Sequence, residues 1–162
     1  MAIRKIISEN DPFLREKSRA VTTIDARTLA LLDDLKDTLK KAGGVGLAAV
    51  QVGVLKRVCV VEDDGQFLEL INPEITVREG EQENVEGCLS CPGKWGITHR
   101  PAKVTVTCLN RFGKTVSYSG EDLVARAFCH EIDHMSGILF YDHVVKLFHS
   151  EEELEAYLEA QE

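Results

Sequence analysis

Between Asp25 and Lys41 the leucines at 29, 32, 35 and 39 recur at spacings of three, three and four, which predicts an amphipathic helix. Thr22 or Thr23 is the expected cap, and Ala42-Gly43-Gly44 the stop, because glycine accepts the left-handed conformation that closes a helix. Val58-Cys-Val-Val61 and Phe67-Leu-Glu-Leu-Ile71 flank Asp63-Asp64-Gly65, the pattern of a hairpin, and Asn72-Pro73 is expected to end its second strand. Ile75 to Arg78, the alternating Lys103 to Leu109, and Thr115 to Tyr118 beyond the Asn110-Arg-Phe-Gly113 turn predict further antiparallel strands. Ser119-Gly-Glu-Asp122 has the form of a capping box and opens a helix through Leu123, Ala127, His130 and His134, with Gly137 ending it. Ser150-Glu-Glu-Glu-Leu-Glu-Ala-Tyr-Leu reads as a short terminal helix with acids at its positive end. The pattern is α+β: antiparallel sheets, an N-terminal helix, a central helix and a short C-terminal one.

Composition narrows the class. At 162 residues, with no repeat, linker or low-complexity tract, a single domain over residues 1–162 is expected. The formal charge of −8 with no basic block argues against nucleic acid as a ligand. No apolar run approaches a membrane span, and the opening Met1-Ala-Ile-Arg-Lys-Ile-Ile-Ser lacks the long apolar core of an export signal, so a cytoplasmic location without membrane contact is expected. The five cysteines, 59, 88, 91, 108 and 129, are odd in number, and three lie inside apolar runs; reduced thiols fit better than a disulfide framework.

The strongest chemical signal is His130-Glu131-Ile132-Asp133-His134. Residues four apart share a helix face, so both imidazoles can reach one metal ion, with Glu131 beside it. Chance can produce such a pattern on a charged helix, but this face also carries Leu123 and Ala127, and two histidines buried together without metal or acid are costly. A catalytic ion needs a third protein ligand and an open position. Cys88, in Glu86-Gly87-Cys88-Leu89-Ser90, follows a glycine outside any clear strand and is free to approach a helix. The Cys88-Leu-Ser-Cys91 spacing also allows a structural site of Cys88, Cys91, His130 and His134, which would leave Glu131 with nothing to activate. Far more residues separate Cys91 from His130 than the roughly 12 to 15 of a zinc finger. A third island, Gly43-Gly-Val-Gly-Leu-Ala-Ala-Val-Gln51, lacks the Lys-Ser/Thr of a phosphate loop. Its small residues fit either tight packing or a close-approaching ligand, and Gln51, an amide in an apolar run, is a candidate oxyanion donor.

Taken in order, Gly44-Val-Gly-Leu-Ala-Ala-Val-Gln51, Glu86-Gly-Cys-Leu-Ser90 and His130-Glu-Ile-Asp-His134 closely resemble the bacterial-type peptide deformylases of the short, type 1 branch. Asp11-Pro-Phe-Leu-Arg15 and Pro92-Gly93 extend the resemblance over nearly the whole chain. It implies antiparallel sheets wrapped around the motif helix, and a metal-dependent hydrolase that removes the formyl group from N-formyl-Met peptides and nascent chains. Cys88, His130 and His134 would be the metal ligands and Glu131 the general base and acid, with hydroxide formed at the ion attacking the formyl carbon. Gln51 and the backbone N–H of Leu89 would hold the oxyanion. Val45, Gly46 and Gly87 would pair with the substrate backbone, and Arg100 would lie near Glu86 and the substrate path. A formyl carbon carries only hydrogen, so a tight site of glycines and alanines would select it sterically. Ligand softness alone favours zinc, whereas the resemblance implies Fe²⁺ with Zn²⁺ or Ni²⁺ able to replace it.

The chain departs from the family pattern at Cys91, where Val or Ile is usual, and at Met135, where Leu is common. Relatives that dock on the ribosome use a basic C-terminal helix, so docking is not carried over to this acidic tail. Cys129 is read as core, and His99, His143 and His149 as surface or structural residues. Two other readings compete: an endopeptidase, which would want a third His or Glu downstream of the motif, and a non-catalytic zinc module. In the latter, Glu131→Gln would change nothing measurable.

Overall fold

Helix α1 (Ala26–Ala42) begins where the Asp25 carboxylate accepts from the Thr28 N–H at 3.0 Å, and it ends at Gly43 with φ 75°. The cap is therefore Asp25 and neither Thr22 nor Thr23, because only the residue directly before the first turn can reach the third helical N–H. Leu31, Leu32, Leu35 and Leu39 are its buried leucines, so the apolar stripe centres slightly off the predicted one. In a computed structural model that describes residues 2–162, α1 lies against a five-stranded antiparallel sheet. Met1, which opens the stretch read for an export signal, lies outside the described residues.

The large sheet runs β1 (Gly46–Ala48), β2 (Val58–Asp63), β3 (Gln66–Glu79), β6 (Lys103–Leu109), β7 (Thr115–Glu121) in spatial order. A smaller antiparallel sheet joins β4 (Gln82–Gly87), β5 (Trp95–Arg100) and β8 (Val144–Phe148) in that order. The apolar run of β2 is explained by cover on both faces. Val58 and Val60 pack with the α1 leucines, whereas Cys59 and Val61 pack with Ala125 and Phe128 of helix α2 (Asp122–Met135). Helix α2 thus crosses the sheet opposite α1, and α3 (Glu151–Ala160), capped by Ser150, follows β8.

Two local expectations fail for physical reasons. Asn72-Pro73 does not end β3; it makes a bulge there, with Asn72 at φ 51° and a register shift between Ile71 and Glu74. The Asn72 amide exchanges two hydrogen bonds with the Val21 backbone at 2.8 and 2.9 Å, which holds the unusual conformation, and a proline without an N–H is tolerated at a bulge. The Ser119 capping box does not form either. Pairing with β6 carries β7 through Glu121, and the chain enters α2 at Asp122, φ 51°, with no side-chain cap. The α+β class and the antiparallel sheets are as expected. Among the described residues no helix is long and apolar enough to cross a membrane.

Candidate active site

The loop after α1, the strand β1 and the 3₁₀ turn Ala49–Val52 form one wall of a cavity of about 340 Å³. The end of β4 and the turn from Cys88 form the opposite wall, and α2 forms the floor with His130 and Glu131. Both walls end in sheet edges, since β1 is terminal in the large sheet and β4 in the small one.

Helical spacing does what the motif predicts: His130 and His134 bring their Nε2 atoms within 3.2 Å of each other. Cys88 Sγ lies 3.3 Å from His134 Nε2, and donor atoms of the three residues all fall within 4.8 Å of one another. Two ring nitrogens and a sulfur so close, with both histidines buried, make a poor hydrogen-bonded cluster and a good ligand set. The chemistry agrees, because one thiolate and two neutral imidazoles hold a divalent cation and leave it net positive charge. Burial, with His130 beside it, pushes the His134 pKa well down, so this ring stays neutral. Cys91 is not among the grouped donors. The four-ligand structural site is therefore not what the fold assembles. His143 and His149 are exposed, so no third histidine joins from downstream, and His99 is exposed beside Glu83.

Behind the ligands lies a buried charged network. The Glu86 carboxylate meets His130 Nδ1 at 2.5 Å and accepts from Thr98 Oγ1 at 2.8 Å and from Arg100 at 2.8 and 3.1 Å. Arg100 also donates to Asp133 at 2.7 Å. This fixes the His130 ring so that Nε2 faces the other donors. Burial alone would raise the Glu86 carboxyl, but hydrogen bonds from His130 and Arg100 hold it at about 2. Arg100 lies beside Glu86, as expected, and stands behind the residues that line the cavity. Its guanidinium is 8% exposed and committed to two carboxylates. The cation at the cavity wall is Arg126, which donates to the Val85 carbonyl at 2.6 Å beside Leu123 and Ala127.

Glu131 is 3% exposed, and its Oε1 has no partner among the described residues. Burial raises its pKa to about 7 even with His130 working the other way. It fits there because residue 46 is glycine; a Cβ at Gly46 would stand 2.5 Å from Glu131 Oε2. Gln51 is oriented from both ends. Its Oε1 accepts the Ala48 N–H at 2.9 Å, while Nε2 donates to Ser90 Oγ at 3.1 Å and faces Cys88 Sγ at 3.7 Å. The sequence marks Ser90 only as part of a motif, and Glu86 only as part of that motif and as the expected neighbour of Arg100. Their burial beside a polar partner was the available signal, and it requires knowing that β4 and its turn pack against α2. Val45, Gly46, Gly87 and Leu89 all line the cavity, and Cys129 and Met135 are in the core.

A paired-histidine helix held between two antiparallel sheets, with a cysteine completing the donor set and a carboxylate alongside, defines a metal-dependent hydrolase. Comparison with known proteins makes this specific. The polypeptide deformylase profile matches residues 3–149. Peptide deformylase from Caldicellulosiruptor bescii is 53% identical over 155 residues, covering 96% of this chain and 93% of that protein. The enzyme from Alkaliphilus metalliredigens is 56% identical over 146 residues, 90% of this chain and 99% of its own. The crystal structure of a peptide deformylase from Legionella pneumophila superposes with a TM-score of 0.84 at 40% identity, covering 98% of this chain and 97% of that one. The chain belongs to the polypeptide deformylase family, hydrolases that remove N-formyl groups from nascent peptides.

Proposed function

We propose that this chain, as one deformylase domain over residues 1–162, hydrolyses the formyl amide of N-formyl-Met peptides in the cytoplasm, with formate as a product. The observation that carries the site assignment is the convergence of Cys88, His130 and His134 between the terminal strands of the two sheets, with the Glu131 oxygen that has no partner among the described residues beside them.

Cys88, His130 and His134 would hold the ion, Fe²⁺ by family resemblance, with Zn²⁺ or Ni²⁺ able to replace it. When bound, it supplies Lewis acidity and lowers the pKa of water at the reacting carbonyl. Glu131 takes the proton of the attacking water at Oε1 as the new C–O bond forms, and later gives that proton to the leaving amine. The oxygen that gains charge is met by an N–H of Gln51 and the backbone N–H of Leu89. Because Ala48 fixes the Gln51 carbonyl end, the amide cannot turn its oxygen toward that charge. An extended peptide pairs with Val45 and Gly46 on one side and Gly87 on the other, adding a strand between the two edges. Arg126, Leu123 and Ala127 border the space for the first side chain. Arg100 acts behind the cavity, through Glu86 and His130. The acidic α3 gives no reason to add nucleic acid or the ribosome as a direct contact.

The test is formate release from formyl-Met-Ala-Ser by protein purified without oxygen and supplied with Fe²⁺, Ni²⁺ or Zn²⁺. Glu131→Gln is expected to retain one ion per chain and lose turnover by about 10²-fold or more, the usual scale of acid–base catalysis. Full activity in that variant would refute the assignment.

A further inference from the structure

The deformylase reading uses the first residue of Cys88-Leu89-Ser90-Cys91 as a ligand and leaves the last without a task. The Cys91 N–H donates to the Cys88 carbonyl at 3.0 Å, closing a four-residue turn. In such a turn the first and fourth Cα atoms lie within about 7 Å, and disulfides span about 4.4–6.8 Å. The side chains also share a neighbourhood: Cys88 packs against the apolar cluster of Cys91, Leu139 and Phe140. Their access differs. Cys88 is half-buried on the cavity wall, whereas Cys91 is 1% exposed, so a reagent in the cavity reaches the first and not the second. The other three cysteines sit in the separate core cluster under α2.

We propose that Cys91 is a resolving thiol for Cys88, so that a hydroperoxide converts the pair into an intramolecular disulfide that withdraws Cys88 from the metal set. The Cys88 sulfur attacks the peroxide, taking one oxygen to become a sulfenic acid while the O–O bond breaks and the second oxygen leaves as water or alcohol. The Cys91 sulfur then displaces that hydroxyl. The S–O bond breaks, the S–S bond forms, and water leaves with the Cys91 proton. The dithiol is oxidised by two electrons and the peroxide is reduced by two. A dithiol reductant reverses the change by exchange. The inference rests on Cys88 being a ligand: a disulfide sulfur is no thiolate, and two imidazoles alone hold the ion poorly. Without Cys91, the sulfenic acid continues to sulfinic and sulfonic acids, which dithiols do not restore.

The experiment uses the zinc-loaded chain, since zinc itself has no redox chemistry. Stoichiometric hydrogen peroxide is added, free thiols are alkylated, peptides are mapped by mass, and released Zn²⁺ is read with a chromogenic chelator. The wild type is expected to lose two hydrogens across Cys88 and Cys91, release its ion, and recover both thiols and ion with a dithiol plus Zn²⁺. Cys91→Val and Cys91→Ala are expected to bind Zn²⁺ normally but to gain two or three oxygens at Cys88 and not recover. Sulfinate at Cys88 with Cys91 still reduced and the ion released would overturn the resolving role and leave the ligand reading intact. A Cys88–Cys91 disulfide with the ion still bound would overturn the ligand reading, and the switch with it.

Discussion

The five-stranded and three-stranded sheets are made from the same antiparallel ladders but bury different things. The large sheet encloses aliphatic side chains between α1 and α2, where Leu35, Leu47, Val58, Val60 and Leu70 have no exposure. The small sheet buries Glu86, Thr98 and Arg100 beside a smaller set of apolar side chains, Ile97, Phe148 and the cluster of Cys91, Leu139 and Phe140. Apolar burial is non-directional, so it stabilises without fixing any one angle. Charged hydrogen bonds are directional, and in a low-dielectric interior they fix the orientation of what they hold. The cavity takes Gly46 and Gln51 from the large-sheet side and Cys88 from the small-sheet side, and the ligand His130 is held by a small-sheet carboxylate. The large sheet therefore carries most of the apolar burial, and the small sheet carries the charged network that orients His130.

That division can be broken most severely at Arg100. Arg100→Met leaves Glu86 and Asp133 without their cation, and breaking a buried pair from one side costs about 3–5 kcal/mol. Because His130 loses its fixed partner geometry, metal affinity should also fall, by about 10–100-fold. Urea unfolding and metal titration read the two effects. If instead KM rises while stability and metal affinity hold, Arg100 belongs to the substrate path and the small sheet loses its assigned role. Next in size is Leu70→Ala in β3, fully buried and away from the cavity, expected to cost about 2–5 kcal/mol of stability. Turnover per folded chain should not change. A fall in kcat beyond the loss of folded protein would mean that the packing of the large sheet orients the site beyond the hold of Ala48 on Gln51.

The same division decides what could be read from the chain. Periodic burial leaves a local trace, so α1, the β2–β3 hairpin, β6 and α2 were legible, as was the paired-histidine face. Strands β4, β5 and β8 were not. Gln82-Glu-Asn-Val-Glu-Gly87 has no alternation and a single apolar side chain, Val85, and these strands exist because they pair with one another. The expected arginine illustrates the limit. Arg100, Glu86 and Asp133 are separated by 14 and 33 residues, and no local pattern tells a buried ion pair from a substrate contact. Asp122 and Asn72 failed for a related reason: strand pairing overrode a cap in one case and a break in the other. Motifs spread over three islands identified the family, because chemistry constrains residue identity where packing constrains only size and polarity.

The smallest predicted effect concerns charge on the large sheet, where pairs sit at the periphery. Glu69 on β3 accepts from Arg111 at 2.5 and 2.8 Å and pairs with Lys36 at 2.8 Å. Burial would raise its carboxyl, but Arg111 and Lys36 outweigh it and bring it below the ordinary 4.5. A carboxylate lowered in the folded chain is ionised more readily there than in the unfolded one, so its contribution is present above about 4.5 and lost as pH falls through the lower, folded value. Being partly solvated, the cluster should contribute no more than about 1 kcal/mol, less in high salt. Measured as the difference in urea stability between wild type and Glu69→Gln, the effect should be largest at neutral pH and low salt and vanish in acid. A difference that stays constant between neutral and acidic pH would locate the benefit of Glu69 in packing. The large sheet would then be stabilised by burial alone, a sharper contrast with the charged interior of the small sheet than the one drawn from Glu86 and Arg100.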